Sequence, residues 1–248
     1  MKYKNIYLIL GASSDLGVEL LTVLNREKSG HLFICHYYSH FKLLEQIIPQ
    51  NNNIFKCYQA DFTVISEVHN FISKIKEECG IPTHIVHLLA GKFCYRKLKD
   101  FVWENFCQEI EIQVHGFLEI LKAFLPVMAK SRKKGKIVIL LSSCTISDTP
   151  KYMLDYMMAK YALMGAMKSL ASDYSGKNVC INAVSPWMIE TKFWDKVDHR
   201  LVEQNAQRSL EKRNADVSDI VPVIQFLLSE DSDFIHGVNL NVTNGNLL

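Results

Sequence analysis

Residues 8–17, which read LILGASSDLG, decide the fold. An apolar run ends at Gly11, and Gly17 follows six positions later, between that run and a helical segment. Glycine allows a tight turn and a close backbone approach, and the N-terminus of a helix presents unpaired N–H groups to a phosphate. The stretch therefore predicts a strand–turn–helix unit that binds a pyrophosphate. An ordinary turn capped by Ser or Asp is the alternative that stays open here.

Short apolar runs alternate with longer amphipathic segments along the rest of the chain, as in repeated βα units. We predict strands at residues 5–10, 32–35, 54–58, 84–89, 136–141, 179–184 and 238–242. The clearest helices are predicted at residues 15–27, 64–78, 102–130, 153–174 and 218–228. This order predicts an α/β fold: a Rossmann-type doubly wound parallel sheet of about seven strands, flanked by helices, in one domain over residues 1–248.

Composition excludes several classes of function. The 248 residues are 48% hydrophobic, enough for one large domain with a full core. A net charge of +2 gives no electrostatic case for nucleic acid or an anionic membrane as a partner. Seven cysteines without CxxC or Cys/His ligand spacing indicate reduced thiols in a cytoplasmic protein and no metal site. The first apolar run is too short to span a membrane and has no export signal.

Residues 142–160, SSCTISDTPKYMLDYMMAK, contain the candidate catalytic groups. Tyr156 and Lys160 are four positions apart, so in a helix they share one face, and a fixed cation lowers the pKa of a nearby phenol. Ser143 ends the apolar run KIVILLSS, which reads as a buried parallel strand. Substrates of open α/β sheets bind at the carboxyl edge of such strands. A core tyrosine and a solvated lysine remain the alternative for the pair alone.

The segment at residues 190–214 interrupts the βα rhythm, because it is charged, contains tryptophan and has a helical period. We interpret the region around residues 187–214 as a substrate lid. Apolar side chains are expected around the site, although ordinary core or lid packing explains each equally well: Phe93, Tyr95, Met153, Met188, Phe193 and Trp194.

Together these motifs resemble the short-chain dehydrogenase/reductase family over nearly the whole chain, closest in pattern to its 3-oxoacyl-[acyl-carrier-protein] reductase branch. Asp15 stands where the strictest glycine turn has a glycine, residues 88–91 read LLAG where the family has NNAG, and Trp187 replaces a glycine in the segment SPWMIET. The cofactor-binding residues that the resemblance implies are Gly11, Ser13, Ser14, Asp15, Leu16, Gly17, Tyr38, Ser39, Asp61, Phe62, Ala90, Gly91, Tyr156, Lys160, Pro186, Ile189 and Thr191.

The resemblance also implies hydride transfer between a nicotinamide cofactor and a carbonyl carbon. Tyr156 would exchange the hydroxyl proton, Ser143 would polarise the carbonyl oxygen, and Lys160 would lower the phenol pKa and bind the ribose. The family's fourth catalytic residue is an asparagine, and it falls on Gln113 in EIQVHGF. The helix that holds Gln113 would complete a water relay from Lys160 to solvent.

The cofactor preference depends on the end of the second strand, where an acidic residue would bind the ribose 2′-hydroxyl of NAD(H). The stretch LFICHYYSH, residues 32–40, has no Asp or Glu. Donors are present instead, and we therefore favour NADP(H) over NAD(H): His36, Tyr38, Ser39 and His40, with Lys42 close behind. The alternative, that these residues are only loop polarity, stays open.

Three readings of function stay open. The substrate is a carrier-linked 3-oxoacyl group, or it is a keto sugar or other small ketone, or the chain is a nucleotide-binding member of the family with impaired catalysis. The apolar helices at residues 102–130 and 153–174 predict a homotetramer or homodimer. The basic run Lys130, Arg132, Lys133, Lys134 and Lys136 either solvates a helix end or docks an acidic carrier protein.

Overall fold

The computed structural model describes residues 3–27, 30–47, 49–91, 95–146, 149–194 and 197–245. Seven parallel strands form one sheet in the order β3-β2-β1-β4-β5-β6-β7. Their bounds are β1 Ile6–Leu10, β2 Leu32–Tyr37, β3 Ile54–Gln59, β4 His84–His87, β5 Gly135–Leu140, β6 Val179–Pro186 and β7 Asn239–Val242. The predicted doubly wound sheet is confirmed, and each predicted strand is present within a few residues of its expected position.

Helices cover both faces of the sheet. Their bounds are α1 Asp15–Asn25, α2 Phe41–Glu45, α3 Ile65–Glu78, α4 Trp103–Ile110, α5 Gly116–Met128, α6 Leu154–Asp173, α7 His199–Gln207 and α8 Val217–Leu228. The predicted helix at residues 102–130 is divided into α4 and α5 by a π-helical turn, Glu111–His115. The short helix α2 had no counterpart among the predicted helices, and α7 lies inside the predicted lid.

The apolar core lies in two layers, one on each face of the sheet. In β1, Leu8 and Leu10 pack into the layer that holds α3, α5 and α6, whereas Tyr7 and Ile9 pack into the layer that holds α1 and α8. Successive side chains of a strand point to opposite faces, so a sheet covered on both faces needs nearly continuous apolar strands. This requirement explains why the strands are readable in the sequence.

The direction of the strand order changes at β1, because β2 and β3 lie on one side of it and β4 to β7 on the other. Ligands of open α/β sheets bind in the crevice at the carboxyl ends of the strands beside such a switch point. Here the carboxyl ends of β1, β4, β5 and β6 lead into Gly11, Leu88, Leu141 and Trp187 respectively. The fold therefore brings four separate sequence motifs to one edge.

The basic run lies at the opposite edge, at the amino end of β5. Lys136 is 2% exposed, and its Nζ pairs with Asp233 Oδ1 at 2.7 Å and donates to Ser232 Oγ at 2.9 Å. The Lys134 Nζ donates to the Asp233 carbonyl oxygen at 3.0 Å. Six residues of strand, about 20 Å, separate this run from the carboxyl edge. These contacts support a structural role for the run.

None of the helices in the described ranges is both long enough and apolar enough to cross a membrane.

Candidate active site

The glycine turn between β1 and α1 requires both of its glycines. Gly11 has φ +82°, a backbone conformation that strains other residues, and a Cβ on Gly17 would lie 2.6 Å from the Ala12 carbonyl oxygen. Ser14 caps α1, because its Oγ accepts from Gly17 N at 3.1 Å and donates to the Gly11 carbonyl oxygen at 2.7 Å. The serine cap expected for an ordinary turn is thus present, and the two glycines of the same turn also allow a close backbone approach.

Asp15 connects this turn to the segment after β6. Its Oδ2 accepts from Lys192 N at 3.0 Å, and its Oδ1 lies 4.0 Å from Lys192 Nζ. The residue that replaces the family's glycine therefore joins the predicted cofactor turn to the predicted lid.

His36, near the end of β2, forms hydrogen bonds with the residues that directly follow β1 and β3. Its Nδ1 accepts from Gly11 N at 3.2 Å, and its Nε2 donates to the Ala60 carbonyl oxygen at 3.0 Å. Burial lowers the pKa of His36 to about 4, so the ring is neutral. The prediction that His36 offers a donor to the cofactor is wrong, because both ring nitrogens are engaged in the protein. Of the other predicted donors, Ser39, His40 and Lys42 line the cleft described next.

A cleft of about 1190 Å³ opens at the carboxyl edge of the sheet and is lined by Ser143, Tyr156 and Lys160. Ser143 begins a 3₁₀ turn, Ser143–Thr145, that follows β5 after two residues, and α6 carries Tyr156 and Lys160. The Lys160 Nζ lies 5.7 Å from the centroid of the Tyr156 ring and donates to the Leu140 carbonyl oxygen at 2.9 Å. The structure therefore brings the three candidate catalytic residues together.

Burial dominates the electrostatics of this pair. It raises the pKa of Tyr156, and a hydrogen bond from the Ser142 side chain only partly opposes it. Burial also lowers the pKa of Lys160 to about 8, against the opposing effect of the negative charge of Glu109. Burial is the largest influence on the pKa of Tyr156, and the prediction that Lys160 lowers the pKa of the phenol stays a prediction.

Gln113 lies at the centre of the π-helical turn and is fully buried. Its Nε2 donates to Glu109 Oε2 at 2.6 Å, whereas its Oε1 has no hydrogen-bond partner among the described residues. His87, at the end of β4, is also fully buried, and burial followed by the charge of Lys160 lowers its pKa to about 3. The helix is thus distorted at Gln113, and the neutral ring of His87 lies next to this residue.

Glu109 is the residue of this cluster that the sequence did not reveal. Its Oε2 accepts from Gly91 N at 3.2 Å and from Gln113 Nε2 at 2.6 Å. A Cβ on Gly91 would lie 1.9 Å from Glu109 Oε1, so only glycine allows this approach without a shift. The available signal was the spacing of Glu109 and Gln113, four positions apart on one helix face.

The predicted lid is a loop closed at its base. Ala215 N donates to the Met188 carbonyl oxygen at 2.9 Å, and Glu190 N donates to the Ala215 carbonyl oxygen at 2.8 Å. Trp187 is 9% exposed, and the Arg208 guanidinium lies 5.4 Å from a ring centroid of its indole. Of the residues expected to make the site apolar, Tyr95, Met153, Met188 and Phe193 line the cleft. Phe93 lies outside the described residues.

Comparison with known proteins decides the family. A family model described as "Enoyl-(Acyl carrier protein) reductase" matches residues 20–246, most of the chain. The chain belongs to the short-chain dehydrogenase/reductase family.

Curated relatives of the family are between 23% and 29% identical to the chain over the aligned residues. "Dehydrogenase/reductase SDR family member 4" of Pongo abelii is 29% identical over 69% of this chain and 61% of its own length. "Oxidoreductase UcpA" of Salmonella typhimurium is 25% identical over 97% of this chain and 94% of its own length. The chain is therefore an oxidoreductase that depends on a nicotinamide nucleotide.

Solved structures of the family have the same fold. NAD+-bound xylitol dehydrogenase has a TM-score of 0.85 at 22% identity, with 98% of this chain and 99% of that chain covered. "ElxO with NADP Bound" has a TM-score of 0.83 at 24% identity, with 100% and 99% covered.

Most of the short-chain dehydrogenase/reductase cofactor positions lie at the cleft. Its lining includes Ser13, Ser14, Asp15, Leu16, Ser39, Ala90, Tyr156, Lys160, Pro186, Ile189 and Thr191. Tyr38 is 61% exposed and outside this lining. Asp61 Oδ1 accepts from Thr63 N at 2.8 Å and from Thr63 Oγ1 at 2.7 Å, and the Phe62 side chain is buried in the core. A role for Asp61 and Phe62 in holding the cofactor stays a prediction.

Proposed function

We propose that the protein is an NADP(H)-dependent reductase of a small ketone. The observation that carries this proposal is the convergence of Ser143, Tyr156 and Lys160 on the cleft that also includes the glycine turn. The turn fits a dinucleotide, because Gly11 and Gly17 keep its backbone free of side chains that would block a pyrophosphate.

The residues of the cleft divide the work of carbonyl reduction. Bound NADPH supplies the hydride that goes to the carbonyl carbon. The Tyr156 hydroxyl donates its proton to the carbonyl oxygen, so the C=O bond becomes an alcohol, and Ser143 donates a hydrogen bond to the same oxygen. The Lys160 ammonium stabilises the phenolate left on Tyr156 and binds the ribose hydroxyls of the cofactor. Pro186, Ile189 and Thr191, which line the same cleft, would hold the nicotinamide end of the cofactor.

The preference for NADPH over NADH is supported by the end of β2. No acidic residue lies between Cys35 and Phe41 to repel a 2′-phosphate, and Ser39, His40 and Lys42 line the adjoining part of the cleft. Fluorescence titration should show tighter binding of NADPH than of NADH. The Lys42→Glu variant should lose most of the preference, whereas Lys74→Glu, an exposed lysine on α3, should keep it. Equal or tighter binding of NADH by the wild type would overturn this assignment.

A small apolar ketone is favoured as the substrate. Tyr95, Met153, Met188 and Phe193 give the reacting end of the cleft an apolar wall. One relative carries a matching name, "Diacetyl reductase [(S)-acetoin forming]" of Staphylococcus epidermidis, at 25% identity over 77% of this chain and 78% of its own length. A carrier-linked acyl substrate agrees with the acyl carrier protein in the description of the matching family model, although that description names an enoyl group and not a 3-oxoacyl group. The basic run that would dock a carrier, however, lies at the far edge of the sheet.

A cofactor-oxidation screen tests the substrate. Small diketones, keto sugars and one 3-oxoacyl group, offered both on a carrier protein and on a small thiol, form its arms. Turnover of a free ketone supports the proposal. A carrier-linked group reduced far faster than the same group on a small thiol would overturn it. Cofactor binding without turnover of any ketone would favour the third reading, a binding protein with impaired catalysis.

A further inference from the structure

Lys192 is a cation beside the glycine turn that the carbonyl chemistry does not use. It begins the 3₁₀ turn Lys192–Trp194, at the start of the predicted lid. Its backbone N donates to Asp15 Oδ2 at 3.0 Å, so the Lys192 backbone is tied to the first residue of α1. Both residues line the cleft. The fold therefore holds a lysine at the N-terminus of α1.

The N-terminus of α1 is the place where a pyrophosphate would bind. The first N–H groups of a helix have no partner within the helix and favour an anion, and Gly11 and Gly17 leave the backbone of this turn open. Asp15, however, puts a carboxylate in the first turn of α1. This charge is favourable next to the helix dipole, but it repels a second anion. A pyrophosphate at this turn therefore needs a compensating cation.

The Lys192 ammonium is able to supply that charge, because its contact with Asp15 is weak. The Lys192 Nζ lies 4.0 Å from Asp15 Oδ1, at the limit of an ion pair, and the Lys192 side chain is 71% exposed. Exposed ion pairs contribute little to stability. A lysine ammonium is a compact charge on a flexible stem, so it can leave this pair for a pyrophosphate, which carries two negative charges.

The other cations that the structure describes in the cleft lining belong to other elements. Lys42 lies on α2, beyond the end of β2. Lys160 is buried on α6, and Arg208 follows α7 within the lid. Among the described contacts of these lining cations, the one to the glycine turn is made by Lys192.

We propose that Lys192 binds the pyrophosphate of the nicotinamide cofactor and that Asp15 is a positioning residue, which holds the Lys192 backbone at the glycine turn. This inference deepens the proposed function and rests on it. The ammonium faces the Asp15 carboxylate in the cofactor-free protein and exchanges it for the pyrophosphate in the complex. NADPH and NADH share the pyrophosphate, so Lys192 contributes to the affinity for both and does not set the preference between them.

The first test is the Lys192→Gln variant, which removes the charge and keeps a polar side chain. Fluorescence titration should show the dissociation constants of NADPH and NADH raised alike, by about tenfold at low ionic strength. The difference from the wild type should shrink as salt is added, because salt screens exposed charges. Adenosine 2′-monophosphate, which has the 2′-phosphate but no pyrophosphate, should bind the variant and the wild type equally in a competition titration.

A second variant separates a contact with the cofactor from a contact with Asp15. Asp15→Asn removes the carboxylate, but its amide oxygen can still accept from Lys192 N. If Lys192 only neutralises Asp15, the Lys192→Gln change has no effect on cofactor affinity in the Asp15→Asn background. We expect the loss of about tenfold to persist there. The matched control is Lys177→Gln, an exposed lysine outside the cleft lining, which should bind both cofactors as the wild type does.

Unchanged affinity for both cofactors in Lys192→Gln, a loss confined to NADPH, or an equal loss for adenosine 2′-monophosphate would overturn the inference. So would the absence of any effect of Lys192→Gln in the Asp15→Asn background. The proposed function fails separately, through tighter binding of NADH than of NADPH or through absence of ketone turnover in the wild type. The comparison of Lys192→Gln with the wild type can still be made with NADH in that case, so the two failures are distinguishable.

Discussion

At the scale of single residues, desolvation and charge oppose each other around Tyr156. Burial raises its pKa, so the phenol is protonated in the resting protein and carries the proton that ketone reduction needs. Lys160, whose own pKa burial lowers to about 8, then stabilises the phenolate that proton donation leaves behind. The two residues therefore act at different stages: Tyr156 is neutral in the resting protein and becomes charged during the reaction, when Lys160 stabilises it.

The Tyr156→Phe variant tests the assignment of the proton donor. It keeps the ring and removes the transferable proton, so turnover should fall by about 10²–10⁴-fold while cofactor affinity stays nearly unchanged. Steady-state kinetics with the ketone found in the screen, together with a fluorescence titration of the cofactor, measure both. More than about a tenth of wild-type activity in this variant would mean that another group supplies the proton. Tyr161→Phe, on the exposed side of the same helix, is the control.

At the scale of elements, the π-helical turn accommodates the departure from the family's asparagine. A π turn inserts one residue into a helix and often marks a functional position. Here it lies at Gln113, which is buried against Glu109. The side chain one methylene longer than asparagine is thus fully buried at the distortion, with its amide hydrogen-bonded to Glu109.

We predict that Gln113 is compatible with activity. The relay would use backbone at the helix distortion, which glutamine allows as well as asparagine does. The Gln113→Asn variant, compared with the wild type in single-turnover and steady-state assays, should change the rate by less than tenfold. A rise of a hundredfold or more would mean that the native glutamine cripples the enzyme and would favour impaired catalysis.

The helices and strands also show which features of the structure could be predicted from the sequence. The strands are predictable because two covered faces demand apolar runs. The spacing of Ser143, Tyr156 and Lys160 is readable because the turn directly after one strand and the next α-helix hold all three. The link between Gly91 and Glu109 is not predictable, because it joins residues 18 positions apart on different elements. The sequence shows only that residues 88–91, LLAG, lack the two asparagines of the family's NNAG. In the structure, the polar groups near this segment are His87, Glu109 and Gln113.

At the scale of the whole molecule, exposed apolar side chains remain on α4, α5 and α6. Trp103 is 61% exposed, Val127 49% and Tyr161 47%. Side chains of this size on helices that already cover the sheet are typical of subunit contacts. We expect a homotetramer or homodimer, and light scattering at micromolar concentration measures it. Detection of only a 28.5 kDa species would contradict the prediction. Trp103→Glu should weaken the assembly, whereas Leu210→Glu, on an exposed residue in the lid, should not.

Buried histidines make the stability of the whole molecule sensitive to acid. Burial lowers the pKa of His36 to about 4 and the pKa values of His84 and His87 to about 3, against an ordinary value near 6.5. Below pH 6.5 the unfolded chain binds protons at these positions and the native protein does not, so stability falls as the pH falls towards 4.

At pH 5 each of these histidines lowers the free energy of unfolding by about 2 kcal/mol relative to pH 7. Urea unfolding at pH 7 and pH 5 measures this loss. The His87→Leu variant should lose about a third of the pH dependence, whatever its absolute stability. An exposed histidine, His69, is the matched control, changed as His69→Gln and measured in the same way. A His87→Leu protein with the full wild-type pH dependence would show that the pKa of His87 is not lowered in the native state.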